Sequence, residues 1–130
     1  MKSILALALF GTTIVQASTH GLEQIRCNDV LGPAYQVVIN GDSLKLNDTQ
    51  SFPLSACRFE PFSVNLKCRH KGASLEVALT KVTATGGGSF HAVDFHVDGV
   101  EGVDSHRFET MKIDLGKSSR CYVNDTYEIR

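Results

Sequence analysis

The chain has 130 residues, a formal net charge of −1 and four cysteines. That length makes one domain, large enough to bury roughly two-thirds of its unfolded surface. A near-neutral balance gives no electrostatic reason to expect nucleic acid or an anionic membrane as partner.

Met1-Lys2 is followed by an apolar run from Ile4 to Val15 that ends Val15-Gln16-Ala17. A basic start, a short hydrophobic stretch and small residues at −3 and −1 predict a secretory signal peptide over 1–17, cleaved after Ala17. Ser18 and Thr19 are neighbouring alternatives for the cut. The run is shorter than the ~20 residues a membrane helix needs. Residues 18–130 then form a single soluble, secreted domain in the extracellular space. Lys2 is the only charged residue of the leader, so the remaining domain is slightly more acidic. Cys27, Cys57, Cys68 and Cys121 are an even set in an exported chain, which implies two disulfides. Their spacing matches no zinc site and no Cys-x-x-Cys, so no metal or redox cofactor is expected.

In chain order, Asn28 to Pro33 is turn-rich and Ala34 to Asn40 is β-branched. Asn40-Gly41 leads into Ser43 to Leu46, predicting a type I′ hairpin, whose two central residues need positive φ. Asn47 to Ser51 is a polar loop, and Phe52-Pro53-Leu54 reads as a short edge piece because proline cannot donate to a ladder. The strongest pattern follows. Phe62, Val64, Leu66 and Cys68 alternate with polar residues, then Leu75, Val77 and Leu79 do the same, which gives each arm one buried face. Arg69 to Ala73 joins the arms as a longer, solvated loop around Gly72. Thr85 to Gly88 is a flexible connection: it lacks the helix and the Lys-Ser/Thr pair that a phosphate loop needs. Ser89 to Val97 is a strand, and Arg107 to Leu115 another, with Met111, Ile113 and Leu115 on one face and a bulge near Glu109. Gly116 to Ser119 turns, and Arg120 to Val123 and Tyr127 to Ile129 close the chain. Seven or eight short strands without helical periodicity predict an all-β fold, an antiparallel β-sandwich or flattened β-barrel, stabilised by disulfides.

The disulfide pairs expected are Cys57–Cys68, closing the turn before the central hairpin, and Cys27–Cys121, joining the domain ends. The arrangement Cys27–Cys57 with Cys68–Cys121 is the competing one.

Few residues suggest chemistry. Alternation places Asp94, His96 and Asp98 in one polar row, with His106 near across the next loop. Carboxylate-imidazole rows can hold a divalent ion or move protons, but an outward strand face is polar by default, and that is the simpler reading. His91, on the other face among apolar neighbours, reads as a satisfied core or edge histidine. Glu60, His96, His106, Arg107 and Glu109 are the residue types of a secreted ribonuclease, although no fixed signature joins them. No Gly-x-Ser-x-Gly elbow is present. Asn47-Asp48-Thr49 and Asn124-Asp125-Thr126 both fit the N-glycosylation acceptor, so a glycoprotein is expected.

The segment Ser51 to Cys57 with Asn65 to Cys68, followed by an alternating strand, resembles the β-barrel allergen/elicitor family of filamentous fungi. That resemblance implies a small secreted fungal effector- or elicitor-like protein. The C-terminal half departs from it, with Cys121 alone where that family has a closely spaced pair, and no functional residue carries over. The expectation is a non-enzymatic interaction protein with an extracellular protein or glycan partner at a host or environmental surface. A secreted hydrolase or ribonuclease using His96 and His106, and a β-sandwich enclosing a small apolar ligand, are the alternatives.

Overall fold

Antiparallel pairing organises the chain into two sheets in the computed structural model, which describes residues 18–83, 85–110 and 119–130. The expected leader over 1–17 and the strand face of Met111, Ile113 and Leu115 lie outside the described residues. The first sheet contains β1 (Gln24–Asp29), β2 (Ala34–Asn40), β3 (Ser43–Leu46), β4 (Gln50–Pro53), β10 (Ser119–Val123) and β11 (Tyr127–Ile129), in the order β11-β10-β1-β2-β3-β4. The second contains β5 (Cys57–Phe59), β6 (Leu66–His70), β7 (Ala73–Thr83), β8 (Ser89–Asp98) and β9 (His106–Glu109), in chain order. One 3-10 turn, Leu54–Ala56, carries the chain between them. This is a sandwich of two open sheets, not a closed barrel, and the eleven strands among the described residues exceed the seven or eight expected.

The core follows from alternation. Ile25, Cys27, Val37, Leu44, Leu46 and Phe52 from the first sheet meet Leu66, Cys68, Leu75, Val77, Phe95 and Phe108 from the second in one buried cluster. Phe95 and Phe108 lie edge to face, with centroids 5.6 Å apart, an arrangement that adds to the burial of their area. Both expected disulfides form, and both join directly opposed residues within one sheet. Cys27–Cys121 spans β1 and β10 with Cα atoms 4.1 Å apart, and Cys57–Cys68 spans β5 and β6 at 4.0 Å. The longer loop, with a sequence separation of 94 against 11, restricts the unfolded chain more, by about 4.5 against about 3 kcal/mol in the entropy model.

Several expectations need correction. The first strand is not Ala34 to Asn40: Gln24–Asp29, reaching into the turn-rich stretch at Asn28, forms β1 at the centre of its sheet, between β10 and β2. Asn40 stays in β2, paired with Ser43, and the turn is Gly41-Asp42 with φ +66 at Gly41 alone, a type II′ pattern. Conversely, the join around Gly72 is tight. His70 pairs with Ala73, and Lys71 and Gly72 both have positive φ, as type I′ requires. Phe62 does not face the core. It is fully exposed in a turn, at φ +59, because polar neighbours take over the local backbone. Ser63 Oγ accepts from Asn65 N at 3.0 Å, and Asn65 Oδ1 accepts from Leu79 N at 2.8 Å, so side-chain bonding displaces the strand that alternation suggested.

The six-stranded sheet has an internal two-fold relationship. Ile25 and Val37 are direct partners. On one side of them Val37 pairs with Leu46 and Leu44 with Phe52; on the other Ile25 pairs with Val123 and Cys121 with Ile129. Thus β2-β3-β4 repeats β1-β10-β11, and each copy turns through Asn-Asp-Thr.

Candidate functional site

The outer face of the five-stranded sheet carries side chains the core does not use. Strand pairing sets Arg58, Lys67, Glu76 and His96 in one cross-strand row, and Arg69, Ser74 and Asp98 in the next. Together they line an open groove of about 660 Å³. The row begins with two cations in direct register, Arg58 and Lys67, a placement that destabilises a sheet. Lys67 Nζ lies 3.8 Å from Glu76 Oε2. Among the described residues, no carboxylate reaches Arg58 or Arg69 within salt-bridge distance. The Cys57–Cys68 bridge lies beneath, between the two strands that carry these cations, so the groove floor is held covalently.

A second polar cluster ties the sheets together. Asp29, at the end of β1, places Oδ2 2.8 Å from His106 Nε2 on β9, and its Oδ1 accepts from the Ser119 hydroxyl on β10. The His106 ring stands 4.5 Å from that of Phe108, and the Tyr35 hydroxyl donates to the Asp104 carbonyl. Burial pushes the Tyr35 phenol above its ordinary range, and the Asp104 carboxylate adds to that; a smaller backbone contact at Asp104 opposes both. Gly32 makes room for this cluster, since a Cβ there would come within 2.9 Å of the Asp29 Cβ. The order of groups matters chemically. A nucleophilic triad needs the histidine between serine and carboxylate, whereas here the carboxylate lies between serine and histidine. The cluster is a clasp between sheets.

The remaining sequence candidates separate. His106 shares the inward side with its partner Phe95, whereas His96 is exposed on the outward side. One substrate cannot touch both, so the paired-histidine chemistry loses its geometry. Glu60 is taken up locally, accepting from Asn65 Nδ2 at 2.6 Å. Arg107 lies 3.7 Å from Asp94 and 3.6 Å from Glu109. Asp94, His96 and Asp98 do share a face, but among the described residues no three His, Cys, Asp or Glu side chains converge as a metal site requires. Successive outward residues on a strand are spaced about 6.6 Å apart, and Asp94 turns to Arg107. His91 is a half-buried residue of the interior strand β8, opposite Lys81 on one side and bonded to Thr110 N on the other, with its ring Nδ1 against the Arg130 carbonyl. Phe52, Phe95 and Phe108 are fully buried between the sheets.

Asn47 and Asn124 both sit in left-handed turns at φ +52 and +55. Sequence reasoning read them as glycan acceptors and missed their backbone role, although the repeated Asn-Asp-Thr between strand patterns was a visible signal. Asp29 was missed as well, and no local signal marks it, because its partners come from residues far along the chain. No family model, curated protein or solved structure matches the chain.

Proposed function

We propose that this chain is a secreted, non-enzymatic interaction protein that works at a host or environmental surface through the outer face of its five-stranded sheet. The observation that carries this reading is the groove itself: Arg58 and Arg69 project from a disulfide-braced pair of strands and serve no ion pair of the fold among the described residues. Arg58, opposed to Lys67 at a cost in stability and with no carboxylate in reach among the described residues, is best explained by a partner. Two disulfides support an oxidising destination, and the basic, apolar leader pattern supports export. Both Asn-Asp-Thr sequons lie in turns at the ends of strands; glycans are read at Asn47 and Asn124, and at Asn124 the sugar replaces one amide hydrogen while the other goes to the Gly21 carbonyl.

Expression of the full chain in eukaryotic cells tests export. Protein recovered from the medium with Ser18 at its N-terminus, and losing mass on treatment with an N-glycosidase, supports the reading. Retention inside the cell with the leader intact overturns it. Saturable retention of the oxidised protein on intact cell-surface material, weakened in an Arg58→Glu, Arg69→Glu variant, tests the face.

A further inference from the structure

We infer that the groove binds an anionic saccharide, with its carboxylate or sulfate held by Arg58, Lys67 and Arg69 and its hydroxyls by Glu76 and Asp98. This deepens the interaction reading above and rests on it. The charge layout selects the ligand. The three cations lie on β5 and β6, the carboxylates on β7 and β8. Adjacent strands are about 4.8 Å apart, so the groove runs from Arg58 and Arg69 at its basic end, through the Lys67–Glu76 ion pair at 3.8 Å, to Asp98 at its acidic end. Arginine presents a planar fork of donors that fits carboxylate and sulfate oxygens in pairs. Glu76 and Asp98 only accept hydrogen bonds when ionised, so they suit hydroxyl donors and repel a second anion. An acidic sugar carries both features, a fixed negative group and hydroxyls around a ring. A polyanion charged at every step, such as a nucleic acid strand or an acidic peptide run, would press negative groups onto Glu76 and Asp98. Ser74 and Ser105 line the same groove and add hydroxyls that can donate or accept.

The register conflict between Arg58 and Lys67 fits the same picture. Like charges directly opposed on a sheet oppose folding, and a bound anion removes that repulsion. The Arg58→Ala variant therefore folds at least as well as the parent while losing a ligand contact.

Calorimetric titration of the purified, oxidised protein tests the proposal with four probes: a hexasaccharide carrying a single uronic acid, a hexasaccharide carrying a single sulfate, a neutral hexasaccharide and an oligoglutamate. Binding of either acidic saccharide, weaker at higher salt, and reduced about tenfold or more in Arg58→Ala and in Arg69→Ala, supports the inference, since a charge-assisted contact is worth that much. Which acidic probe binds tighter separates a carboxylate from a sulfate ligand. Arg107→Ala, on the same face but paired with Asp94 and Glu109, leaves the affinity within twofold. Absence of binding, equal binding of the neutral oligosaccharide, or an affinity unchanged in both arginine variants overturns the proposal. Tighter binding of oligoglutamate also overturns it and leaves an acidic peptide as partner, with the interaction reading above intact. A thermal midpoint of Arg58→Ala at or above the parent's excludes misfolding as the cause of a lost signal.

Discussion

Asn47 and Asn124 occupy equivalent corners of the six-stranded sheet, and each uses its side-chain oxygen to hold the neighbouring strand. Asn47 Oδ1 accepts from Gln36 N at 2.7 Å. Asn124 Oδ1 accepts from Gln24 N at 3.0 Å and from Glu23 N at 2.7 Å, and its Nδ2 donates to the Gly21 carbonyl at 2.9 Å. Asparagine tolerates left-handed backbone better than other side chains, so one residue type serves the turn and the strand together.

Asn124→Ala is therefore expected to cost more than Asn47→Ala, about 2–3 against about 1–2 kcal/mol, from three lost hydrogen bonds against one plus similar turn strain. Urea unfolding of both variants measures it. Equal losses would mean that the Asn124 amide does not anchor residues 21–24.

Two glycines with similar backbone angles should respond differently to alanine. At Gly99, φ +72, a Cβ would lie 2.2 Å from the Gly72 carbonyl oxygen; at Gly102, φ +80, it would meet nothing within 4 Å. Gly102→Ala is expected to cost about 1 kcal/mol from the backbone angle alone. Gly99→Ala adds a collision between the β8–β9 connection and the β6–β7 turn, and about 3 kcal/mol or more is expected. A Gly99→Ala variant as stable as Gly102→Ala would refute the close approach of those two turns.

The Asp29 clasp is a polar link between sheets of a kind that the two disulfides, each within one sheet, do not supply. Asp29→Ala leaves the His106 and Ser119 side chains without their partner, and a loss of about 1–3 kcal/mol follows. A double-mutant cycle with His106→Ala isolates the inter-sheet part. Additive losses, with no coupling beyond error, would show that Asp29 and His106 do not act on one another in solution.

Alkaline pH should weaken the fold through Tyr35. An unfolded tyrosine ionises near pH 10, while burial in the folded chain, aided by the Asp104 carboxylate, holds the proton to higher pH. The stability this contributes is complete below pH about 10 and is lost as pH rises through the folded value. Tyr35→Phe is less stable at neutral pH, having lost the bond to Asp104, but declines less between pH 9 and 11. Unfolding midpoints across that range decide, and parallel declines for parent and variant would count against it.

Local pattern was enough for much of this fold. Alternation placed Leu66, Cys68, Leu75 and Val77 inside, and side-chain phase with chain-end proximity favoured both disulfide pairs while leaving Cys27–Cys57 with Cys68–Cys121 open. Those features depend on period-two geometry, which neighbouring residues carry by themselves. Pattern failed where a few polar contacts outweighed it. Phe62 continued the alternation of its strand, yet Ser63 and Asn65 bent the chain and left it in solvent. β1 offered only Ile25 and Cys27 as inward residues, too short a signal to mark the centre of a sheet. The separation of His96 from His106, the meeting of Asp29 with His106 and Ser119, and the row of cations at Arg58 and Lys67 were decided by strand pairing alone. Register between segments far apart in sequence is chosen by how whole sheet faces pack, and no stretch of the chain contains that information by itself.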